Sequence, residues 1–459
     1  MKWLSVFLLF CCLLTAQQTL KFIGKYSDGQ SSYNDIWGFK KKGKDYILMG
    51  KANKYGVIMY EIQPDGTARE HLNYTGEEHN GSWSEPRYYA ANNKEYVYIP
   101  TDKPRSSDGL APTIIIDVTN PNEIKKVGEF GEKSHNIFLY KNYLFTCGSN
   151  DLGSKRSGVE CWDLTNPEKP TLKWSYKKHY VHDLWISDDR MYLAEMYNSS
   201  FSVYDIAKVT DPEISEDKLI FRHSYPGGFT HHLNPTKDHK YLVVVDEHNK
   251  NDHIQLWDIQ DPNNIQNLWK HQEGTTSIVH NSFIKENILH LSYYDRGYMA
   301  FDISDKSNIK KIAEYDTFPE GQEHSQGSYK GAWGVYPFLE NNYVAVSDRT
   351  HGMHMFQLNT EAGSTFEDFT LTPIYSTING TLGYVDVYIS FKINIGTQVS
   401  LSDNINQHTL KLLDQKTNTF TVRLYSNAQN SSSYTLSYNS KNIQIPVEFK
   451  ETFKSETNK

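Results

Sequence analysis

One short phrase recurs along this chain and limits its fold more than any other feature. The phrase is apolar residue, Asp, apolar residue, polar residue, Asp or Asn, Pro. It reads Ile116-Asp117-Val118-Thr119-Asn120-Pro121, then Trp162-Asp163-Leu164-Thr165-Asn166-Pro167, then Trp257-Asp258-Ile259-Gln260-Asp261-Pro262. Weaker copies are Tyr60-Glu61-Ile62, Tyr204-Asp205-Ile206, Phe301-Asp302-Ile303-Ser304-Asp305 and Phe356-Gln357-Leu358. With the acidic (finally Gln) position as marker, the copies fall at 61, 117, 163, 205, 258, 302 and 357. A spacing of about 40–50 residues between segments of strand-forming residues is the signature of a β-propeller, with one blade per repeat.

The stretch around the second full copy shows the order inside a repeat. Ser134 to Tyr140 is an apolar run opening with a histidine, and Lys141-Asn142 turns the chain. Tyr143–Cys147 and Gly158–Asp163 read as the next two strands. Asn166-Pro167 then ends the run, because proline has no amide hydrogen to give to a ladder. Thr171–Tyr176 alternates in the manner of an outer, solvent-facing strand. Seven first strands are expected, starting near Asn34, Glu85, His135, His182, His231, His280 and Trp333. The last repeat stops at Leu358 without an outer strand. The segment Leu20–Tyr26 resembles the outer strands at Lys126–Phe130 and Lys311–Tyr315, so it is expected to complete the last blade and close the ring. Closure leaves no open sheet edge.

The chain ends differ from this body. Residues 1–16 read as a signal peptide: Met1-Lys2, an apolar run from Val6 to Leu14, and Ala16 before a cut. The run is too short to span a bilayer, and no later stretch is apolar enough to do so, so no transmembrane segment is expected in the mature chain. The propeller is assigned to 17–360. Over 361–453 the phrase stops and tryptophan disappears. Alternation persists in Val385–Phe391, Thr419–Tyr425 and Ile443–Val447, which reads as a small C-terminal β-sandwich of Ig-like or fibronectin-like type. Residues 454–459 read as a disordered tail. The expected fold class is therefore all-β: a seven-bladed propeller followed by a small sandwich.

An exported chain meets an oxidising compartment. Cys11 and Cys12 leave with the signal, and Cys147 and Cys161 lie in consecutive expected strands, so a cross-strand disulfide is expected between them, with two buried thiols as the alternative. Sequons at Asn73, Asn80, Asn198, Asn379 and Asn430 are candidate glycosylation sites. A net charge of −8 over 459 residues gives no basic footprint for nucleic acid or anionic lipid.

The repeated phrase resembles the LVIVD repeat, and the wider order resembles the choice-of-anchor B family of exported repeat proteins. The matching parts are Asn34–Gly38, Ser134–Phe138, Val181–Asp183, Thr230-His231, Val279–Asn281, Tyr315–Thr317, Gly331–Phe338 and Ser347-Asp348, spread over roughly residues 19–358. The resemblance implies a propeller and an exported location. Members of that family carry a variable C-terminal anchoring module, and here a β-sandwich stands in its place. The resemblance brings no established reaction with it.

Chemistry concentrates where the first strands open. Asn34/Asp35, His135/Asn136, His182/Asp183, His231/His232 and His280/Asn281 are expected to ring one mouth of the central channel, with side chains reaching solvent. Asp35, His135, His182, Asp183, His231 and His280 are thus candidate ligands for a divalent metal, since neutral imidazole is a good ligand and a bound metal activates water. The structural alternative is that these pairs cap neighbouring blades and solvate the channel. No catalytic residue is assigned. The repeat aspartates are expected to hydrogen-bond turn amides instead of doing acid-base chemistry. Two loop clusters, Tyr293–Gly297 and Ser347–Gly352, and the insertion Glu320–Ser325 are further places for a polar ligand. The function expected is an extracellular or cell-surface scaffold binding a protein or glycan. The rival is a metal-dependent hydrolase or lyase built on the channel-mouth histidines.

Overall fold

A computed structural model describes residues 20–29, 32–52, 54–78, 85–101, 111–148, 158–210, 214–247, 254–273, 277–319 and 329–358, together with nine C-terminal strands between 364 and 446. The expected signal segment at 1–16, the insertion at 320–325, the expected tail at 454–459 and the sequons Asn80, Asn379 and Asn430 lie outside the described residues.

The phrase repeats translate into seven four-stranded antiparallel sheets. After β1 (Leu20–Tyr26), blade 1 is β2 (Tyr33–Lys41), β3 (Lys44–Lys51), β4 (Lys54–Ile62) and β5 (Ala68–Glu78). Blade 2 is β6 (Arg87–Ala91), β7 (Lys94–Ile99), β8 (Thr113–Asp117) and β9 (Lys125–Phe130). Blade 3 is β10 (Asn136–Tyr140), β11 (Tyr143–Cys147), β12 (Val159–Asp163) and β13 (Thr171–Tyr176). Blade 4 is β14 (Asp183–Ser187), β15 (Arg190–Glu195), β16 (Ser200–Asp205) and β17 (Leu219–Ser224). Blade 5 is β18 (Thr230–Pro235), β19 (Tyr241–Asp246), β20 (Ile254–Asp258) and β21 (Gln266–His271). Blade 6 is β22 (Ser282–Lys285), β23 (Ile288–Tyr293), β24 (Gly297–Asp302) and β25 (Lys310–Tyr315). Blade 7 is β26 (Ala332–Tyr336), β27 (Tyr343–Asp348) and β28 (Gly352–Leu358), and its outer strand is β1, paired from Leu20↔Leu358 to Tyr26↔Met353. The N-terminal strand thus closes the ring as the sequence suggests.

The first hairpins of blades 1, 2 and 4 turn through two consecutive residues with positive φ: Lys42-Gly43, Asn92-Asn93 and Asp188-Asp189. That geometry matches the twist of the flanking strands. The apolar residues do not form one central core. They pack between blades, because both faces of each inner sheet are covered by neighbours. Phe145, Cys161 and Trp174 of blade 3 pack with Leu184, Leu193 and Tyr204 of blade 4. Val243 and Leu256 of blade 5 pack with Leu291 and Phe301 of blade 6 in the same way.

The repeat aspartates act on turns. Asp117, Asp163, Asp205, Asp258 and Asp302 each accept the backbone amide two residues on, at 2.7–3.0 Å. Asn120, Asn166, Asp261 and Asp305 repeat the motif one turn later, at 2.9–3.1 Å.

The expected disulfide is absent. Cys147 and Cys161 are free buried thiols. In the β11/β12 ladder Cys161 lies opposite Phe145, so Cys147 stands two residues away on the same face. Such diagonal neighbours are about 7–8 Å apart, beyond disulfide reach. Burial pushes both thiols up, Cys161 to about 12.

The C-terminal residues form a separate unit. Its strands include Thr381–Phe391, Thr419–Tyr425 and Lys441–Pro446, the three expected segments, within one five-stranded and one four-stranded antiparallel sheet. Among the described residues no helix is long and apolar enough to cross a membrane.

Candidate functional site: a histidine ring at the channel mouth

Blades 3, 4 and 6 enter their first strands in the same register, and blade 5 differs by a bulge at His231. The backbone amides of His135, His182 and His280 donate to the end of the second strand of their own blades, at Cys147, Ala194 and Ser292, over 2.9–3.0 Å. A shared register gives a shared side-chain direction. The four imidazoles accordingly stand side by side across blades 3 to 6. Ring centroids are 4.7 Å apart for His135–His182, 4.4 Å for His182–His231 and 4.5 Å for His231–His280. Trp333 of blade 7 extends the row, 4.1 Å from His280. The predicted convergence is therefore observed, but the predicted solvent access is not. His135, His231 and His280 are buried, at 6%, 1% and 1% exposure, and His182 is only partly exposed. Rings this close shield one another.

Asp35 and Asp183 sit one residue further along their strands and form a second layer. Around it, Asp35 pairs with Arg87 at 3.6 Å, and Arg87 donates to Asn136 at 3.3 Å. Asn136 donates to Asp183, and the Asp183 carboxylate lies 3.8 Å from His232. Glu85 joins the layers, 3.5 Å from Arg87 and 3.7 Å from His135 Nε2. With Asn281, all of these residues but His135 line a chamber of about 10 Å³, room for about one water. An aromatic layer closes it below: Trp37, Phe138, Trp185 and Phe283 meet at centroid distances of 5.3–6.4 Å. Arg87 lies over Trp37 at 4.1 Å. Aromatic side chains thus line the channel beside the polar layer.

The electrostatics follow from burial. Three buried carboxyls, Asp35, Glu85 and Asp183, share one buried guanidinium. Burial pushes all three up, and Arg87 pulls each only partly back. His182, His231 and His280 are held well below the usual imidazole range, first by burial and then by one another's charge. They are neutral at pH 7 and keep a lone pair each.

Hydrogen bonds say where that lone pair is. His231 Nδ1 faces the His280 carbonyl at 3.1 Å, and His280 Nδ1 faces the Trp333 carbonyl at 2.6 Å. A carbonyl only accepts, so Nδ1 carries the proton and Nε2 the lone pair. The Nε2 atoms of His182, His231 and His280 are buried without a hydrogen-bond partner among the described residues, as are both amide atoms of Asn34.

Residues outside the first strands complete the mouth. Antiparallel pairing brings the end of each second strand beside the start of the first, and there Glu247, Tyr294 and Arg349 stand. Glu247 approaches His231 Nε2 at 3.6 Å and accepts the Tyr294 hydroxyl at 2.6 Å. Arg349 lies over Trp333 at 5.0 Å and donates to the Tyr329 carbonyl at 2.7 Å. Both loop clusters noted in the sequence thus reach the rim. Glu247 was not legible as part of it, although its place just after a second strand, level with Tyr294 and Arg349, is the signal that would have found it. An aromatic collar continues outward from the ring. Tyr180 contacts His182 and packs at a tilt 4.7 Å from Tyr197, which meets Phe229 at 5.8 Å. Tyr294 meets Tyr329 edge-on at 5.3 Å.

No protein-family model matches this chain, and no curated protein matches it.

Proposed function

We propose that this protein is an exported, extracellular or cell-surface propeller that binds a glycan or protein partner on the histidine-ringed face. The observation that carries this is the collar. Tyr197 and Tyr329 are 42% and 45% exposed on a face whose centre is otherwise buried, and each is backed by another aromatic ring. Exposed, rigidly backed tyrosines offer large contact area at low entropic cost, and they suit sugar faces and protein hot spots alike. Export is supported by the basic-apolar start and by the exposed sequons Asn73 and Asn198. The phrase order supports kinship with LVIVD-repeat proteins of the choice-of-anchor B type, and the two C-terminal sheets suit an Ig-like sandwich.

The test is a glycan array and a cell-surface pull-down with the mature chain beside a Tyr197→Ala/Tyr329→Ala variant. Ligands captured by the parent and lost by the variant support the reading. Equal capture by both overturns it. The rival reading, a metal-dependent hydrolase or lyase, is favoured by one observation, the unpartnered imidazole nitrogens, and it requires the metal site argued next.

A further inference from the structure

We propose that His182 Nε2, His231 Nε2 and a carboxylate oxygen of Glu247 form a binding site for a zinc-class divalent transition metal at the channel mouth. These three ligand atoms lie within 4.8 Å of one another. Two neutral imidazoles and a carboxylate are a donor set suited to such ions. Tetrahedral coordination at bonds of about 2.0–2.1 Å would hold the donors about 3.4 Å apart. The Glu247 carboxylate already stands 3.6 Å from His231 Nε2, close to that spacing.

Three further observations support the assignment. His231 is 1% exposed, yet its Nε2 has no hydrogen-bond partner among the described residues, and its tautomer places the lone pair there. A buried polar atom left this way costs free energy unless something absent from the protein chain satisfies it. The outer partners are also those that orient metal ligands. The His280 carbonyl takes the His231 Nδ1 proton, the Tyr180 hydroxyl lies 2.9 Å from His182 Nδ1, and the Tyr294 hydroxyl donates to Glu247. Finally, three protein ligands leave coordination positions free, the pattern of open sites rather than closed structural ones.

This site shares Tyr180 and Tyr294 with the rings that back the collar but uses neither exposed tyrosine, Tyr197 or Tyr329, so the two are tested separately. Full-length protein stripped with chelator is titrated with Zn²⁺ alone, and with Co²⁺ for its ligand-field spectrum. The expected result is one equivalent bound at micromolar free metal, with nitrogen-ligated Co²⁺ absorption. Glu247→Gln keeps the shape of the site and an acceptor for Tyr294, and is expected to weaken binding at least tenfold. His182→Ala, checked for native melting without metal, is expected to weaken it at least a hundredfold. Absence of saturable binding up to about a hundred micromolar metal overturns the proposal. So does stoichiometric binding that both variants retain at the parent's affinity, because the ion then sits elsewhere. Loss of metal binding with unchanged partner capture leaves the collar reading standing and supports the site.

Discussion

Burial in this propeller decides what its histidines do, and His290 shows it away from the mouth. It lies in β23, is 2% exposed, and has its Nδ1 2.8 Å from the Tyr298 hydroxyl. Burial, with a smaller contribution from Lys285, pushes its pKa down to about 3. The folded value lies below the unfolded one of about 6.5. The neutral ring therefore contributes stability that is fully present above about pH 6.5 and lost as pH falls toward 3. One such proton is worth about 1.4 kcal/mol per pH unit inside that window. His290→Gln removes the proton and keeps a polar group. Urea unfolding at pH 7.5 and at pH 5 should show the parent losing roughly 2 kcal/mol more than the variant between the two. Parallel losses would count against this account. The same scale shows what a single sequence discloses. His135, His182, His231 and His280 were legible because each opens a repeat within a residue of the same register, and register sets direction. Asp35 and Asp183 were legible as candidate ligands at the mouth but not as a deeper layer, since adjacent residues on a strand differ in position along it. Their coupling through Arg87 and Asn136 depends on contacts between blades that no local spacing encodes.

At the level of the element, the third and fourth strands of every blade share a feature. The ladder slips by one residue just before the marker position: at Met59/Tyr60, Ile115/Ile116, Cys161/Trp162, Val203/Tyr204, Leu256/Trp257 and Ala300/Phe301. β1 slips between Phe22 and Gly24 against β28. In each case the outer strand carries the extra residue, such as Val127, Ile220 or Leu268. A bulge there bends the exposed edge and spoils it as a template for another chain. This explains why these edges tolerate exposed apolar residues, with Ile220 and Leu268 at 38% and 41% exposure. The bulge was not legible, because a one-residue insertion looks like ordinary alternation until its partner is known. The turn that follows was legible, because Asp and Asn-Pro have one local purpose. Asp163 accepts both the amide and the hydroxyl of Thr165, at 2.7 and 2.6 Å. Asp163→Ala should lower stability by about 1 kcal/mol, the net value of such a bond, while Asp163→Asn keeps most of it. Thermal melts of the two variants decide, and an alanine variant that melts with the parent would argue that the phrase has another purpose.

The whole molecule depends on a joint between its first and last strands. Six blades are made from consecutive segments, and the seventh borrows β1 from the other end of the propeller. The joint is more than a ladder. Leu20 packs into the core shared by blades 6 and 7, with Tyr298, Val346, Phe356 and Leu358. Phe22 stacks 5.4 Å from Tyr315 on the outer strand of blade 6 and meets Phe356 at 5.8 Å. Removing residues 20–26 would therefore uncover an apolar edge, β28, and part of the interface between two blades. A ring held by contacts between neighbours cannot confine that loss to one blade, because the seventh blade also braces the first. There, Tyr33, Ile47 and Tyr60 pack with Ala345, Met353 and Met355. The deletion should lower the melting temperature by at least about 5 °C, equivalent to a few kcal/mol in a domain of this size, and should promote self-association through the exposed strand. A synthetic peptide of residues 20–26 should restore part of the loss by adding back as a strand. The measurement is a melting curve of the parent chain, the deletion and the deletion with peptide, beside sedimentation of each. A deletion that melts with the parent and stays monomeric would mean that the ring is held by blade packing alone and that β1 only covers it.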